Sequence, residues 1–146
     1  MCPGAPPNPI PIGDESMDFS VTLFFIGLLA VLQVPATFFV GIRRVKTKIL
    51  IADGGDQTLL RRIRAHANFT ETVPITLIAM AAADYSGAGD TMLWAGGAAL
   101  LLGRVVHYFT IALTDGSSLL RAVGMVLTFA AMLTFGGYAL AQNWPL

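Results

Sequence analysis

Four long apolar segments alternate with short polar segments along this chain. They cover residues 19–40, 65–83, 91–114 and 122–146, with lengths of 22, 19, 24 and 25 residues. A helix needs about 20 apolar residues to cross the hydrocarbon core of a bilayer. The pattern therefore predicts an all-α, integral membrane four-helix bundle over residues 17–146. We expect its helices at about 18–41, 58–84, 91–114 and 118–142.

The N-terminal segment, residues 1–16, has a different composition. It is rich in proline, it carries acidic residues but no Lys or Arg, and it has no apolar run. A secretory signal needs a basic start followed by an apolar core. The segment is therefore predicted to be a disordered tail, and either Met1 or Met17 can be the biological start.

Overall composition supports a membrane protein. Only 12% of the residues are charged and 55% are hydrophobic, whereas soluble domains carry about 25% charged residues. The formal net charge is zero, so there is no electrostatic basis for binding nucleic acid. Cys2 is the one cysteine of the chain, and it cannot form an internal disulfide.

The basic residues fall in one region of the chain. Seven of the nine Lys and Arg residues lie between Arg43 and Arg64, and the other two are Arg104 and Arg121. Loops rich in Lys and Arg face the cytoplasm in membrane proteins. The pattern therefore predicts a cytoplasmic basic loop between helices 1 and 2, with both termini outside. A plasma membrane and an endoplasmic-reticulum membrane both fit this pattern, since they share the orientation rule.

Helix 2 carries a polar stripe. Arg61, Arg64, Asn68 and Glu71 are spaced i, i+3, i+7 and i+10, so they share one face of a helix. His66 follows Arg61 by five residues and so lies about 140° away from the line of Arg61. Charged groups within a membrane span avoid lipid. We therefore expect the stripe to face the bundle interior, a partner subunit or a water-filled cavity.

Three further polar groups lie on helices 3 and 4. Arg104 is inside an apolar span, and an ion pair with Glu71 would neutralise both charges. His107 is either a hydrogen-bonded packing residue or part of a site. Arg121 either anchors helix 4 at the membrane surface or binds an anion. Arginines bind carboxylates in a bidentate manner, so these groups together suit an anionic ligand with carboxylates and an amine.

No metal site is predicted, because the two histidines lie on different helices without a supporting pattern of carboxylates.

The sequence also contains local signals for turns and helix ends. Asp53-Gly-Gly-Asp56 is a turn cluster after which Thr58 is a candidate cap for helix 2. Asp84–Asp90 is a short turn, and the segment Asp115-Gly116-Ser117-Ser118 is expected to end helix 3 and cap helix 4.

The motif Arg61-x-x-Arg-Ala-His-x-Asn-x-x-Glu71, followed by Pro74 and then by Gly103-Arg-Val-x-His107, resembles a known family. This is the family of membrane-associated proteins in eicosanoid and glutathione metabolism (MAPEG), and the resemblance covers residues 18–142. The compact chain with short loops is most similar to the bacterial members, and this similarity implies a bacterial inner (plasma) membrane as the expected location.

The resemblance implies a homotrimer that binds glutathione between adjacent subunits, near the cytoplasmic face, and a lipophilic small-molecule substrate in the surrounding membrane lipid. Arg121 would be the catalytic residue, stabilising the glutathione thiolate. The implied cofactor-binding residues are Arg44, Arg64, His66, Asn68, Glu71, Arg104 and His107, with Arg104 acting structurally through Glu71.

Two positions depart from the family pattern. Several members carry tyrosines where this chain has Ile111 and Met125. A glutathione-dependent transferase or peroxidase is the first hypothesis. The alternatives are a non-catalytic binding or assembly protein on the same scaffold, and a small four-helix transporter with Glu71 as its coupling carboxylate.

Overall fold

The computed structural model describes residues 19–114 and 118–145, which form four α-helices. The helices are α1 (Ser20–Thr47), α2 (Gln57–Tyr85), α3 (Asp90–Leu113) and α4 (Leu119–Gln142). The predicted all-α four-helix bundle is therefore confirmed. The predicted tail at 1–16, the two candidate starts and the connection 115–117 lie outside the described residues.

Helix α1 continues beyond its apolar segment. It was expected to end near residue 41, but it runs to Thr47 and stops where Lys48 adopts a left-handed conformation, with φ 58°. The basic residues end the apolar span without ending the helix, since Arg and Lys are good helix formers. Helix α2 is capped by Asp56, whose side chain accepts a hydrogen bond from the Leu59 amide at 2.6 Å. Thr58, the expected cap, lies inside the helix.

The connection between α1 and α2 is held by two arginines. Arg43 forms an ion pair with Asp56 at 2.6 Å. This bond and the Leu59 amide hold the pKa of the Asp56 carboxyl below its ordinary value. Arg44 donates hydrogen bonds from Nη1 to the backbone carbonyls of Ile49, Leu50 and Ala52 at 3.3, 3.0 and 3.0 Å. The loop therefore folds around a guanidinium.

The other helix ends follow the sequence signals. The predicted capping segment at 115–118 supplies the cap of α4 through Ser118, whose hydroxyl oxygen accepts a hydrogen bond from the Leu120 amide at 3.1 Å. The predicted turn between α2 and α3 contains Gly87, with φ 87°, a conformation that favours glycine. The Ala88 amide then donates back to the Ala83 carbonyl at 3.0 Å and closes the end of α2.

Three helices, α1, α3 and α4, are long and apolar enough to cross a membrane. Helix α2 has 29 residues and so has sufficient length, but the polar stripe makes its first half less apolar than the other helices. Helices α2 and α3 each pack against all three other helices, whereas the backbones of α1 and α4 do not come together within the described part of the chain. Helices α2 and α3 thus form the centre of the bundle.

Helices α3 and α4 approach closely at a pair of glycines. A Cβ atom added to Gly124 would lie 2.8 Å from the Gly103 carbonyl oxygen and 2.8 Å from the His107 Cβ. Real Cβ contacts are not this short, so only glycine allows the observed separation of the two helices. This contact brings the last three turns of α3 against the start of α4, which is where the candidate site lies.

Candidate functional site

A cavity of about 570 Å³ opens between α2, α3 and α4. Its volume is typical of small-molecule sites, which run from about 300 to 1,000 Å³. Twelve residues line it: Gln57, Leu60, Arg61, Arg64, Ala67, Asn68, Glu71, His107, Ile111, Thr114, Arg121 and Met125.

The polar stripe of α2 forms one wall of this cavity. Arg61, Arg64, Asn68 and Glu71 all line it, which confirms that the four residues share a face. Arg64 and Glu71 are exposed in the structure. Glu71 forms no ion pair or hydrogen bond through its side chain with any described residue. Its carboxylate is therefore available to a cation or an amine.

Arg104 lies behind the cavity wall and is only 1% exposed. Its side chain spans from α3 to both α2 and α4. It donates to Thr128 Oγ1 at 2.7 Å, Asn68 Oδ1 at 2.6 Å, Thr72 Oγ1 at 3.0 Å, the Gly124 carbonyl at 3.3 Å and Met125 Sδ at 3.4 Å. A guanidinium has five N–H donors, and each of them has a partner here.

The expected ion pair between Glu71 and Arg104 is therefore wrong for the described structure. Asn68 and Thr72 are one helical turn apart, and together they take the α2 side of the guanidinium. Glu71 lies about 100° around the helix from Thr72, so its carboxylate points into the cavity. Neutral acceptors, not a counter-ion, satisfy the hydrogen bonds of the buried charge.

His107 and Arg121 form the opposite wall. The His107 side chain is 4% exposed, and its Nδ1 lies 3.0 Å from the Arg121 backbone carbonyl oxygen. The Arg121 side chain lines the cavity from the first turn of α4. The structure thus brings together five of the predicted site residues at one cavity: Arg64, Asn68, Glu71, His107 and Arg121.

Arg44 and His66, two other predicted ligands, lie away from this cavity. His66 faces α1, where its Nε2 is 2.9 Å from Gln33 Nε2 and 3.0 Å from Thr37 Oγ1. Arg44 binds the carbonyls of the loop after α1. Within one subunit, therefore, these two residues and the cavity are on different sides of α2.

Sequence reasoning missed the residues that support Arg104. Thr72 follows Asn68 by four positions, so the helical period alone could have identified it. Thr128 is on another helix, and no local signal points to it. The two positions that depart from the family pattern, Ile111 and Met125, both line the cavity, so the cavity has apolar side chains at those points.

The cavity has a clear chemical character. Arg61, Arg64 and Arg121 supply three guanidinium groups, Glu71 supplies one carboxylate, and Asn68 supplies an amide. Such a site fits an anionic ligand that also carries an amine. No group of three His, Cys, Asp or Glu side chains able to hold a metal ion occurs among the described residues.

Comparison with known proteins identifies a family and a bacterial relative. The sequence profile of the MAPEG family matches residues 22–141. The chain is also similar to the inner membrane protein YecN of Escherichia coli, both from strain K12 and from an O6:H1 strain. The identity is 33% over 89 residues in each case, which is 61% of this chain and 68% of the relative.

Proposed function

The chain belongs to the MAPEG family of membrane proteins, and from this premise we propose that it is a glutathione-dependent transferase or peroxidase. The observation that carries the proposal is the convergence of three arginines, a carboxylate, an amide and a histidine on one cavity of about 570 Å³. The cavity has an excess of positive charge. Glutathione is an anion with two carboxylates, one ammonium group and a thiol.

Each functional group of glutathione has a partner of matching chemistry in the cavity. Arg61 and Arg64 suit the two carboxylates, because a guanidinium binds a carboxylate through two parallel hydrogen bonds. Glu71, which has no ion pair with the described residues, suits the ammonium group. Arg121 suits the thiolate, since a neighbouring cation favours the ionised form of a thiol.

In the proposed reaction, the ionised thiol of glutathione reacts with a lipophilic substrate that arrives from the bilayer. The thiolate attacks a carbon of a lipophilic electrophile, forms a thioether and displaces a leaving group. With a hydroperoxide, it attacks the outer oxygen and releases an alcohol, and a second glutathione then forms the disulfide and water. The apolar body of such a substrate would lie against exposed apolar side chains of α1 and α4, such as Val31, Phe38, Val126 and Leu133.

The proposed assembly is a homotrimer in which a neighbouring subunit closes the cavity. The cluster of Gln33, Thr37 and His66 supports an intersubunit contact, because it is only partly covered in the single subunit and polar groups within a membrane face protein or water in preference to lipid. Such a contact would bring the predicted ligands Arg44 and His66 towards the cavity of a neighbour. The number of three subunits rests on the family resemblance.

The proposed location is a bacterial inner membrane, with the basic loop in the cytoplasm. The similarity to an inner membrane protein supports the location, and the Lys and Arg residues between 43 and 64 support the orientation. A single cysteine introduced at exposed Lys48 in a Cys2→Ser background tests it. Labelling by a membrane-impermeant thiol reagent in intact cells would contradict a cytoplasmic loop.

Glutathione binding to the detergent-purified protein, measured by calorimetry, is the direct test of the function. Arg64→Ala and Glu71→Gln should each weaken binding by at least about tenfold, since each removes a charge-assisted contact of about 1.5–3 kcal/mol. The matched control is Arg62→Ala. Arg62 is two residues away on the same helix, but it donates to the Phe39 carbonyl at 2.8 Å and lies over the Phe39 ring.

The outcomes are distinct. Saturable binding that is lost in the two cavity variants and kept in Arg62→Ala would support the proposal. Equal effects of Arg62→Ala and Arg64→Ala would indicate general loss of structure or charge. If the folded wild-type protein binds no glutathione at millimolar concentration, the enzyme proposal is wrong.

A second candidate function is a binding protein without turnover. Ile111 and Met125 favour it, because they place apolar side chains in the cavity where enzymes of the family often have tyrosine hydroxyls. Conjugation of a lipophilic electrophile separates the two candidates. An Arg121→Ala variant that binds glutathione normally and loses conjugation would support the enzyme, whereas bound glutathione without any turnover by the wild type would support the binding protein.

A further inference from the structure

Two hydrogen bonds fix the donor and acceptor roles of side chains in the cavity. Arg104 can only donate, and it donates to the Asn68 amide oxygen at 2.6 Å. The Asn68 amide nitrogen is therefore the group that remains for a ligand. The Arg121 backbone carbonyl can only accept, and it lies 3.0 Å from His107 Nδ1. In the neutral imidazole, Nδ1 must therefore carry the proton, and Nε2 must carry a lone pair.

The Nε2 atom of His107 is the ring nitrogen that remains for a ligand. Nδ1 is engaged by the Arg121 carbonyl, and Nε2 has no hydrogen-bond partner among the described residues. His107 is only 4% exposed and lines the cavity, so the cavity is the side from which a ligand can approach this ring.

We propose that His107 Nε2 is the base that takes the proton from the glutathione thiol. This inference rests on the proposed function. In the step, the S–H bond breaks, the electron pair stays on sulfur, and the proton forms a bond with Nε2. The products are a thiolate and an imidazolium, so the total charge in the cavity does not change. Arg121 stabilises the thiolate, and the imidazolium later returns its proton to water or to the leaving group.

Other cavity groups are less suited to accept this proton. Ile111 and Met125 have no basic atom. The Thr114 hydroxyl is a weak base, and it already donates to the Thr110 carbonyl at 2.5 Å. Glu71 belongs to the opposite wall, where the ammonium group of the ligand is proposed to bind. The charged groups around His107 are Arg104 and Arg121 on the α3 and α4 side and Arg61, Arg64 and Glu71 on α2.

The first part of the test needs no ligand. The two histidines of the chain are His66 and His107, so the His66→Gln variant leaves one imidazole to assign. Its ¹⁵N chemical shifts in detergent micelles report which ring nitrogen carries the proton in the neutral state. The expected result is a proton on Nδ1. A proton on Nε2 would overturn the proposal whether or not glutathione binds.

The second part follows the thiol. In wild-type protein, ultraviolet absorbance should show bound glutathione as thiolate at neutral pH. In His107→Gln, which keeps a donor for the Arg121 carbonyl, the thiolate should be lost and kcat/KM should fall by at least about 100-fold, the lower end of the range for loss of a general base. The defect should shrink above about pH 8.5, where a thiol ionises without a base. The dissociation constant for glutathione should stay within about threefold of the wild-type value. A threefold change corresponds to less than half of the binding free energy of a tenfold change.

Tyr108→Phe is the control, because Tyr108 is the next residue on α3 and its hydroxyl donates to the Ala36 carbonyl, away from the cavity. Equal thiolate content in wild type and His107→Gln would overturn the role of His107 and leave the proposed function intact. Loss of binding in His107→Gln would assign it to ligand binding instead. If the wild type binds no glutathione, the proposed function and this step both fail.

Discussion

The contact between Gly103 and Gly124 allows a quantitative prediction. A Cβ atom in Gly124→Ala would lie 2.8 Å from the Gly103 carbonyl oxygen. Opening this distance to the 3.4 Å at which ordinary van der Waals contact begins moves α3 and α4 apart by about 0.6 Å. Overpacking of this kind costs about 1–3 kcal/mol. The same movement would stretch the 3.0 Å bond between His107 and the Arg121 carbonyl beyond about 3.2 Å, the upper end of N–H···O distances.

Gly137→Ala is the matched control on the same helix, because a Cβ atom at Gly137 would have no heavy atom of the described residues within 4 Å apart from the nearby backbone of α4 itself. Both substitutions gain about 1 kcal/mol of helix propensity, so that gain cancels in the comparison. We expect Gly124→Ala to be less stable than Gly137→Ala by about 1–3 kcal/mol. For a chain of this size, each kcal/mol shifts the Tm by about 2–4 °C.

Thermal unfolding of the two purified variants in the same detergent measures this difference, and calorimetry then measures glutathione binding. Gly124→Ala should also bind the ligand more weakly, because the wall that carries His107 moves. Equal Tm values for the two variants would show that α3 and α4 separate without cost, and the argument from close approach would then be wrong.

Three further predictions concern the bonds that hold the subunit together. Thr128→Val should lower the free energy of unfolding by about 1–3 kcal/mol, because it leaves Nε of buried Arg104 without an acceptor. Thr128→Ser keeps the hydroxyl and should retain most of the wild-type free energy of unfolding. Chemical unfolding measures both variants. Tyr108→Phe should cost about 0.6–1.7 kcal/mol in the same assay, the range for hydrogen bonds between membrane helices. The pKa of Asp56 is lowered in the folded protein, so its carboxylate stabilises the α1–α2 connection. This stabilisation is fully present above about pH 3.9, the ordinary pKa of Asp. It is lost as the pH falls through the lower pKa of the folded state. Hydrogen exchange of residues 48–56 should show this loss in wild type and not in Asp56→Asn, in which the ion pair with Arg43 is absent at every pH.

Much of the bundle could be predicted from the sequence because its signals are local. Apolar length identified the helices, and a period of 3.6 residues placed Arg61, Arg64, Asn68 and Glu71 on one face. The polar segment that ends in Ser118 was expected to cap helix 4 from its composition and position. These features depend on residues within a few turns of one another, and the structure confirms each of them.

The parts that sequence reasoning missed depend on how two helices meet. The period of α2 shows that Asn68 and Glu71 are close to one face, but it does not give the rotation and depth of α3 against that face. Those two quantities decide that Arg104 binds Asn68 and Thr72 in place of Glu71. The end of α1 was missed for another reason. Membrane thickness limits the apolar span, and the helix itself continues into the basic segment up to Thr47.

The motif Gly103-Arg104-Val-Val-His107 acts as one unit that connects fold and site. Gly103 lets the backbone of α4 approach, and only at that separation can Arg104 reach Thr128 and the Gly124 carbonyl while it also holds Asn68. One turn later, the same approach puts the Arg121 carbonyl within 3.0 Å of His107. Because Arg104 orients the amide of Asn68 and Arg121 orients the ring of His107, the bonds that pack the three helices also set the donors and acceptors of the cavity. A substitution at Gly103 or Gly124 should therefore change stability and ligand binding together, whereas a substitution at Arg64 or Glu71 should change binding alone.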